Sequence, residues 1–141
     1  MPKWKYILIA GSLVFAGCSP RTGGGVSGEL AQTPPAMFQL NDLLHASAAA
    51  NGHPATQLSD LDRKRSLFPL GYKAVKDGDI IVVWGIRPKG EGQIAKGEEQ
   101  VVAYEKVAPK EGGYVLFSGG TIKKMSATEF AAALKAGKSS R

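Results

Sequence analysis

The sequence predicts an α+β domain in which an N-terminal helix packs on an antiparallel β-meander of four to five strands and a short C-terminal helix follows. Apolar residues recur at helical spacing between Ala36 and Asn51. Short β-rich runs separated by glycine turns follow, and a helix-capping pattern begins at Ser126. Helices and strands that stand apart along the chain, instead of alternating, favour the α+β class.

The first helix is expected over residues 36–51. Apolar and small side chains recur at spacings of three and four and form one stripe there: Met37, Leu40, Leu43, Leu44, Ser47 and Ala48. Pro35 suits the first helical turn, and Gly52 suits the stop. Asp42 is the ionised residue of this segment. A helix with so little charge is expected to pack along its length, most simply against a sheet.

A β-hairpin is expected around Asp77-Gly78. The flanking runs at 72–76 and 79–84 are rich in β-formers, and Asp-Gly favours a tight turn because its residues accept positive φ. The second run is apolar on both faces. That pattern predicts a central strand covered on both sides.

Two connecting segments carry weaker signals. Residues 58–62 are expected to form a short helical turn with Ser59 or Asp60 as its cap. Residues 87–99 are rich in glycine and in charges of both signs, so they predict an exposed loop.

Two more strand regions and a final helix complete the domain. A strand is expected at 101–107, and a second hairpin at 114–125 turns at Gly119-Gly120. The last helix shows capping-box spacing between Ser126 and Glu129. Its remaining signals are a hydrophobic staple from Met125 to Phe130, one face with Phe130 and Leu134, and an end at Gly137.

The first residues indicate export. Lys3 and Lys5 precede a short apolar run, and Ala16-Gly17 lie directly before Cys18, the chain's only cysteine. A basic start, an apolar middle and small residues at the exit are typical of a secretory signal. The apolar run is shorter than the roughly 20 residues that a membrane-spanning helix needs. An ordinary cleaved signal with an incidental cysteine is the alternative.

Small residues directly before a cysteine resemble the lipobox of bacterial lipoproteins. The resemblance implies cleavage after Gly17, a diacylglyceryl thioether on Cys18, and acylation of the new amino terminus with a fatty acid such as palmitate. No other cofactor is expected. The protein would be exported and membrane-anchored, facing the periplasm or the cell surface. Ser19 favours the outer membrane where the cell has one.

These signals divide the chain into four parts. Residues 1–17 are expected to be the lipoprotein signal peptide, and 18–35 the lipidated cysteine with a flexible tether rich in Gly, Ser, Thr and Pro. The single α+β domain would span 36–137, and 138–141 would form a tail.

The globular part also resembles type II secretion pseudopilins and other pilin-like proteins. The resemblance is carried by Gly52-x-Pro54-Ala55-x-x-Leu58-x-Asp60-Leu61 after the helix, and by the pair 113–117 and 121–123 around a glycine turn. It implies a pilin-like globular fold. No pilin leader with a cleavage glycine precedes a long apolar helix, so assembly into a pilus is not expected.

The residue types point away from catalysis. No catalytic residues are predicted, and His45 and His53 lack the cysteine partners and spacing of a metal site. Turn and surface chemistry account for the paired carboxylates Asp77/Asp79 and Glu98/Glu99. No metal is therefore expected.

The basic charge allows an anionic partner as an alternative to an ordinary solvated surface. The formal net charge is +6, and its charges are spread along the sequence, as on an ordinary solvated surface; only Arg63-Lys64-Arg65 form a cluster. This cluster is the candidate contact for an anion or a partner. Nucleic acid is not expected, because the chain is exported and carries no nucleic-acid module.

The sequence leaves three hypotheses for the function. The favoured hypothesis is a lipid-anchored cell-envelope protein whose small, non-catalytic, pilin-like domain interacts with a protein or an envelope polymer. The alternative is a small hydrolase-like envelope enzyme with its site near the 87–99 loop, using Glu91, Glu98 or Glu99 with His45 or His53. An assembly subunit of a secretion apparatus is the third, and it needs exposed apolar surface on the 36–51 helix.

Overall fold

The computed structural model describes residues 34–90, 93–95 and 97–139. Its elements in chain order are α1 (Pro35–Asn51), a 3₁₀ helix (Leu58–Lys64), α2 (Pro69–Asp77), β1 (Ile80–Val82), β2 (Val101–Glu105), α3 (Ala108–Glu111), β3 (Gly113–Phe117), β4 (Ile122–Met125) and α4 (Ala127–Ser139). The four strands pair antiparallel in the order β1-β2-β3-β4. The predicted α+β class, with an N-terminal helix, an antiparallel meander and a short C-terminal helix, is confirmed.

Helix α1 forms where the stripe predicted it. Pro35 occupies the first turn, and Gly52 adopts the left-handed conformation (φ 73°) that ends the helix. The Gly52 N–H donates to the Ala48 carbonyl at 3.0 Å, which satisfies a carbonyl that would otherwise lack a partner. All six stripe residues are buried.

The predicted turn at 58–62 is a 3₁₀ helix, but its cap differs from the expectation. Gln57 is the N-cap, and Asp60 completes a capping box with it at the third helical position. The Asp60 carboxylate accepts the Thr56 N–H at 2.8 Å and the Gln57 N–H at 3.3 Å. These bonds, with Thr56 as the largest cause, lower the pKa of Asp60.

The expected strand at 72–76 is wrong, because this segment belongs to helix α2. Gly78 adopts φ 79° at the C-terminus of α2. Its N–H donates to the Val75 carbonyl and the Asp79 N–H donates to the Ala74 carbonyl, the bond pattern of a Schellman motif. Asp-Gly therefore ends a helix here and does not turn a hairpin. The required positive φ is the same in both structures, which is why the dipeptide alone does not distinguish them.

The second run does form a strand, but it is short and lies at an edge. Strand β1 covers Ile80–Val82 and pairs with β2 alone, so the predicted central position is wrong. Ile80 and Val82 are buried and Ile81 is half-buried. The most completely buried strand is β3, in which all five residues are buried.

Two apolar clusters sandwich the sheet. Helices α1 and α2 and the 3₁₀ helix pack with Tyr114 and Leu116 on one face. Phe130 of α4 packs with Val115 and Phe117 on the other. A register shift in β2 between Val101 and Ala103 is a β-bulge. Such a bulge re-aims neighbouring side chains, and here Val102 and Ala103 both belong to the first cluster while Val101 belongs to the second.

Helix α4 begins as predicted. The Ser126 N–H donates to Glu129 Oε2 at 2.8 Å, and the Glu129 N–H donates back to Ser126 Oγ at 3.3 Å, which closes the capping box. Met125 and Leu134 pack on the cluster that contains Phe130. The expected end at Gly137 is wrong, since the helix continues to Ser139.

Candidate interaction surfaces

The predicted basic cluster lies at the end of the 3₁₀ helix, and its members differ in their surroundings. Arg63 and Lys64 form the last helical positions, and within the described part of the chain neither lies within ion-pair distance of an acidic group. Arg65 lies beside the Tyr72 hydroxyl. That hydroxyl donates to Asp62 Oδ1 at 2.5 Å, and this bond is the largest cause of the raised pKa of Tyr72.

Large apolar side chains are exposed next to the basic cluster. Leu67 is 65% exposed and Leu70 49%, and both follow the cluster within a few residues. Gln39 of α1 fixes the position of Leu70, because its Oε1 accepts the Leu70 N–H at 2.8 Å. We call Arg63, Lys64, Leu67 and Leu70 the basic–apolar surface. Exposed apolar groups of this kind mark interaction sites when they adjoin one another.

A groove of about 280 Å³ adjoins this surface between the start of α1 and helix α2. Pro34, Pro35 and Ala36 form one wall, and Leu70 belongs to the other. Lys73 forms an ion pair with Asp77 on the same wall. The surface therefore lies at the end of α1 where the preceding chain joins the domain.

A second cavity, of about 100 Å³, lies beneath α4 and is apolar. It is lined by Val83, Ile86, Gln100, Val101, Ala133, Leu134 and Gly137. Neither this cavity nor the groove has a histidine or a glutamate in its wall.

Strand β4 lies at an edge of the sheet, and among the described residues it pairs with β3 alone. The Phe117 N–H donates to the Thr121 carbonyl at 2.9 Å and the Phe117 carbonyl accepts the Gly120 N–H at 2.9 Å, so 117 and 121 stand at the hydrogen-bonded position that closes the hairpin. Hydrogen-bonded and non-bonded pairs alternate in antiparallel ladders, which places the backbone groups of Ile122 and Lys124 on the outer side. No backbone bond from another described residue reaches them. We call the outer side of Ile122–Met125 the open edge.

Two adjacent lysines flank the open edge on opposite faces of the sheet. The Lys123 ammonium lies 5.6 Å from the centre of the Phe117 ring, and the Lys124 ammonium lies 5.8 Å from that of Tyr114. Both distances suit a cation–π contact. Both side chains are exposed, and no acidic group among the described residues pairs with them. The open edge is therefore positively charged on both sides.

The residues of the hydrolase-like hypothesis do not converge in the described part of the chain. Glu99 Oε1 accepts the Thr121 hydroxyl at 3.2 Å, whereas Glu98 is exposed, and Glu91 lies outside the described residues. His53 is exposed next to the Pro54 carbonyl. His45 is half-buried on α1. These positions give the hydrolase-like hypothesis no support.

Two further findings concern the described residues alone. They contain no helix whose length and apolar character would allow it to cross a bilayer. They also contain no group of three or more His, Cys, Asp or Glu side chains arranged to hold a metal ion. Cys18, the predicted lipidation site, lies outside the described residues.

No known protein family, curated protein or solved structure matches this chain.

Sequence reasoning missed Leu67, Leu70 and the open edge. Leu67 and Leu70 follow the basic cluster within a few residues. Basic residues next to large apolar residues in a connecting segment could have indicated an interaction surface. Lys123-Lys124 was a second signal. Adjacent lysines in a strand place charge on both faces, which fits an edge strand and not a central one.

Proposed function

We propose that this chain is a lipid-anchored cell-envelope protein whose small, non-catalytic, pilin-like domain interacts with a protein or polymer of the envelope. The observation that carries the interaction role is the open edge, with the outward backbone groups of Ile122 and Lys124 between two exposed lysines. An unpaired edge can accept an extended segment by strand addition. This mode favours a protein partner over a polysaccharide, because the ladder needs backbone amides from both sides.

The positive charge of the open edge indicates an acidic partner segment. Successive side chains of a strand point to opposite faces, so Lys123 and Lys124 meet a pairing strand on both of its faces. An extended segment with neighbouring acidic residues complements them. A second copy of this strand does not, because it would bring lysine against lysine.

The anchor rests on the first residues of the sequence. Small residues before Cys18, after a basic start and a short apolar run, support a lipidated amino terminus. Two or more acyl chains hold a protein stably, at about 0.8 kcal/mol per buried methylene. The pilin-like description rests on the quoted motifs and on α1 packing beside an antiparallel meander.

The edge is tested by replacing Lys124 with proline. Proline removes an outward N–H that no described residue uses, and edge strands tolerate it there. We expect zero-length cross-linking in intact envelopes to join Lys123 of the parent chain to a partner carboxylate, and this product to disappear in Lys124→Pro.

Lys124→Ala is the matched control, because it removes the charge and keeps the N–H. It should weaken the Lys123 cross-link without abolishing it. Equal yields in the parent chain and in Lys124→Pro would contradict strand addition at this edge.

The anchor is tested separately with Cys18→Ser. Metabolically labelled fatty acid should be incorporated into the parent chain and not into the variant, because the thioether needs the cysteine sulfur. Incorporation that survives the substitution would refute lipidation at Cys18.

A further inference from the structure

We infer that the basic–apolar surface docks on the face of an anionic phospholipid bilayer, the bilayer that holds the lipid anchor. The inference deepens the proposed function and rests on it, since the anchor is what brings the domain to a membrane. The partner is defined by chemistry: negatively charged headgroups over a hydrocarbon boundary.

The apolar part of the surface consists of exposed leucine side chains that can enter a membrane interface. Leu67 and Leu70 are three positions apart around the start of α2, and both project from the domain with about half or more of their surface exposed. Apolar side chains in this arrangement can bury themselves at the boundary between headgroups and acyl chains.

The charged part fits the sign of an anionic membrane. Arg63 and Lys64 precede Leu67, and with Arg65 they outnumber the two neighbouring carboxylates, Asp60 and Asp62, neither of which forms an ion pair with them. Asp60 accepts backbone N–H groups of its own capping box, and Asp62 accepts the Tyr72 hydroxyl. Arg63 and Lys64 are thus free to face anionic headgroups, which attract basic side chains that lie close to the surface.

The position of the surface on the chain favours the same occupant. Leu70 lines the groove with Pro34, so the surface lies where the chain from Cys18 enters the domain. A chain of that length spans at most about 60 Å, and about 20–25 Å if it is a coil. Such a short link gives a high effective concentration at the membrane, so weak docking is sufficient.

A second copy of the chain is a poorer occupant. A two-fold interface joins the same surface of both copies, so it would bring two basic clusters into one contact. Like charges at such a contact repel. Anionic lipid gives the apolar contact without this repulsion.

The test places an environment-sensitive fluorophore on the lipidated full-length chain in vesicles. Ser66→Cys labelled with nitrobenzoxadiazole reports on the surface, because Ser66 is exposed between Lys64 and Leu67. Thr128→Cys on α4 is the matched control, since it is exposed and α4 packs on the opposite face of the sheet. The Cys18 thioether leaves no competing thiol.

With phosphatidylglycerol in the vesicles, we expect a blue shift and strong quenching by doxyl-labelled lipid at residue 66 and neither at residue 128. Arg63→Ala with Lys64→Ala should lower the docked-to-undocked ratio by about tenfold or more. Leu67→Ser with Leu70→Ser should abolish the shift, and Val107→Ser, which changes an exposed apolar residue at the start of α3, should not.

Four outcomes would overturn the docking. They are a fluorophore at residue 66 that stays in water, equal signals at the two labelled positions, equal docking on neutral phosphatidylcholine, and a 66-to-66 cross-link that shows a second copy on the surface. Failure of the anchor is distinguishable, because mass spectrometry then shows no acyl group at Cys18. In that case a Cys18→Ser chain held on nickel-chelating lipid by an N-terminal histidine tag gives the same fluorescence test.

Discussion

Gly71 lies where helix α2 meets helix α1. A Cβ at this position would lie 2.6 Å from the Leu40 nitrogen and 2.8 Å from the Gln39 carbonyl carbon. Both are backbone atoms, which cannot rotate away as the end of a side chain can. The absence of a side chain at Gly71 therefore allows the two helices to pack at this distance.

We predict that Gly71→Ala lowers the free energy of unfolding by about 1–3 kcal/mol, the usual range for an overpacked contact. This predicted loss is opposite in sign to the effect of helix propensity, which favours alanine over glycine by about 1 kcal/mol inside a helix. Urea unfolding measures the difference.

Gly137→Ala is the matched control. It lies in α4, and a Cβ there would be 3.9 Å from Gln100, an ordinary contact. This variant should be neutral or slightly stabilised. Equal stability of the Gly71 and Gly137 variants would contradict the close approach of α1 and α2.

The capping pair Ser126 and Glu129 predicts a pH effect. Bonds from the Ser126 hydroxyl and N–H lower the pKa of Glu129. Because the folded-state pKa is depressed, the contribution to stability is present above the ordinary pKa of about 4.5 and is lost as the pH falls through the lowered value.

We predict that Ser126→Ala raises the pKa of Glu129 toward its ordinary value, as an NMR titration of the carboxyl carbon would show. An alanine at an N-cap position typically costs about 0.5–2 kcal/mol of helix stability. Thr128→Ala, in the same turn without a bond to this carboxylate, should leave the titration unchanged. An unshifted titration in the Ser126 variant would count against the capping box.

At the level of elements, Asp77-Gly78 shows how one local signal serves two structures. The sequence predicted a hairpin turn, and the structure has the C-terminus of α2 followed at once by β1. The helical alternative was visible in Phe68, Tyr72 and Val75, which recur at spacings of four and three, and in Pro69 at the first turn. Over so short a segment the strand and helix patterns overlap, and packing on the first cluster decides between them.

We predict that Gly78→Ala destabilises the domain by about 1–2 kcal/mol, because an L-residue is strained at positive φ. No atom lies within 4 Å of the added Cβ, so the cost is conformational alone. Gly78→Asn should recover part of the loss, since asparagine tolerates the left-handed region. Thermal unfolding compares the three chains, and equal melting of the alanine and glycine forms would argue against the C-cap geometry.

At the scale of the whole molecule, β3 joins the two apolar clusters. Leu116 belongs to the cluster with α1 and Val115 to the cluster with α4, and both are buried. Neighbouring residues of one strand thus contribute to both layers. We expect the layers to unfold together, since a small single domain usually behaves as two-state.

Phe130→Ala tests this coupling. Phe130 is 2% exposed and its ring centre lies 4.7 Å from that of Tyr104, so its removal should cost about 3–5 kcal/mol. Urea transitions followed by far-UV circular dichroism and by Trp84 fluorescence should shift together, because Trp84 packs on the opposite cluster. Phe38→Ala, on the exposed surface, should change little. A Trp84 transition that does not move would show that α4 unfolds alone.

Sequence patterns were sufficient where one face of a long element is buried. The α1 stripe, the strand that opens the 114–125 hairpin and the Ser126–Glu129 capping box all appear where they were predicted. Each depends on a period or a cap whose physics is local. Local signals gave the wrong position for β1. Its apolar residues on both faces predicted a central strand, but it lies at an edge of the sheet.

The sequence by itself determined the α+β class, the first and last helices, and the position of the basic cluster, because these follow from contacts within a few residues. Tertiary structure decided which face each segment meets: it made 72–76 helical, placed β1 at an edge, and exposed Leu67 and Leu70 beside Arg63 and Lys64. The order of strands likewise decided that the outer backbone groups of β4 have no partner strand among the described residues. Those outcomes depend on contacts between segments distant in the chain, which no local period encodes.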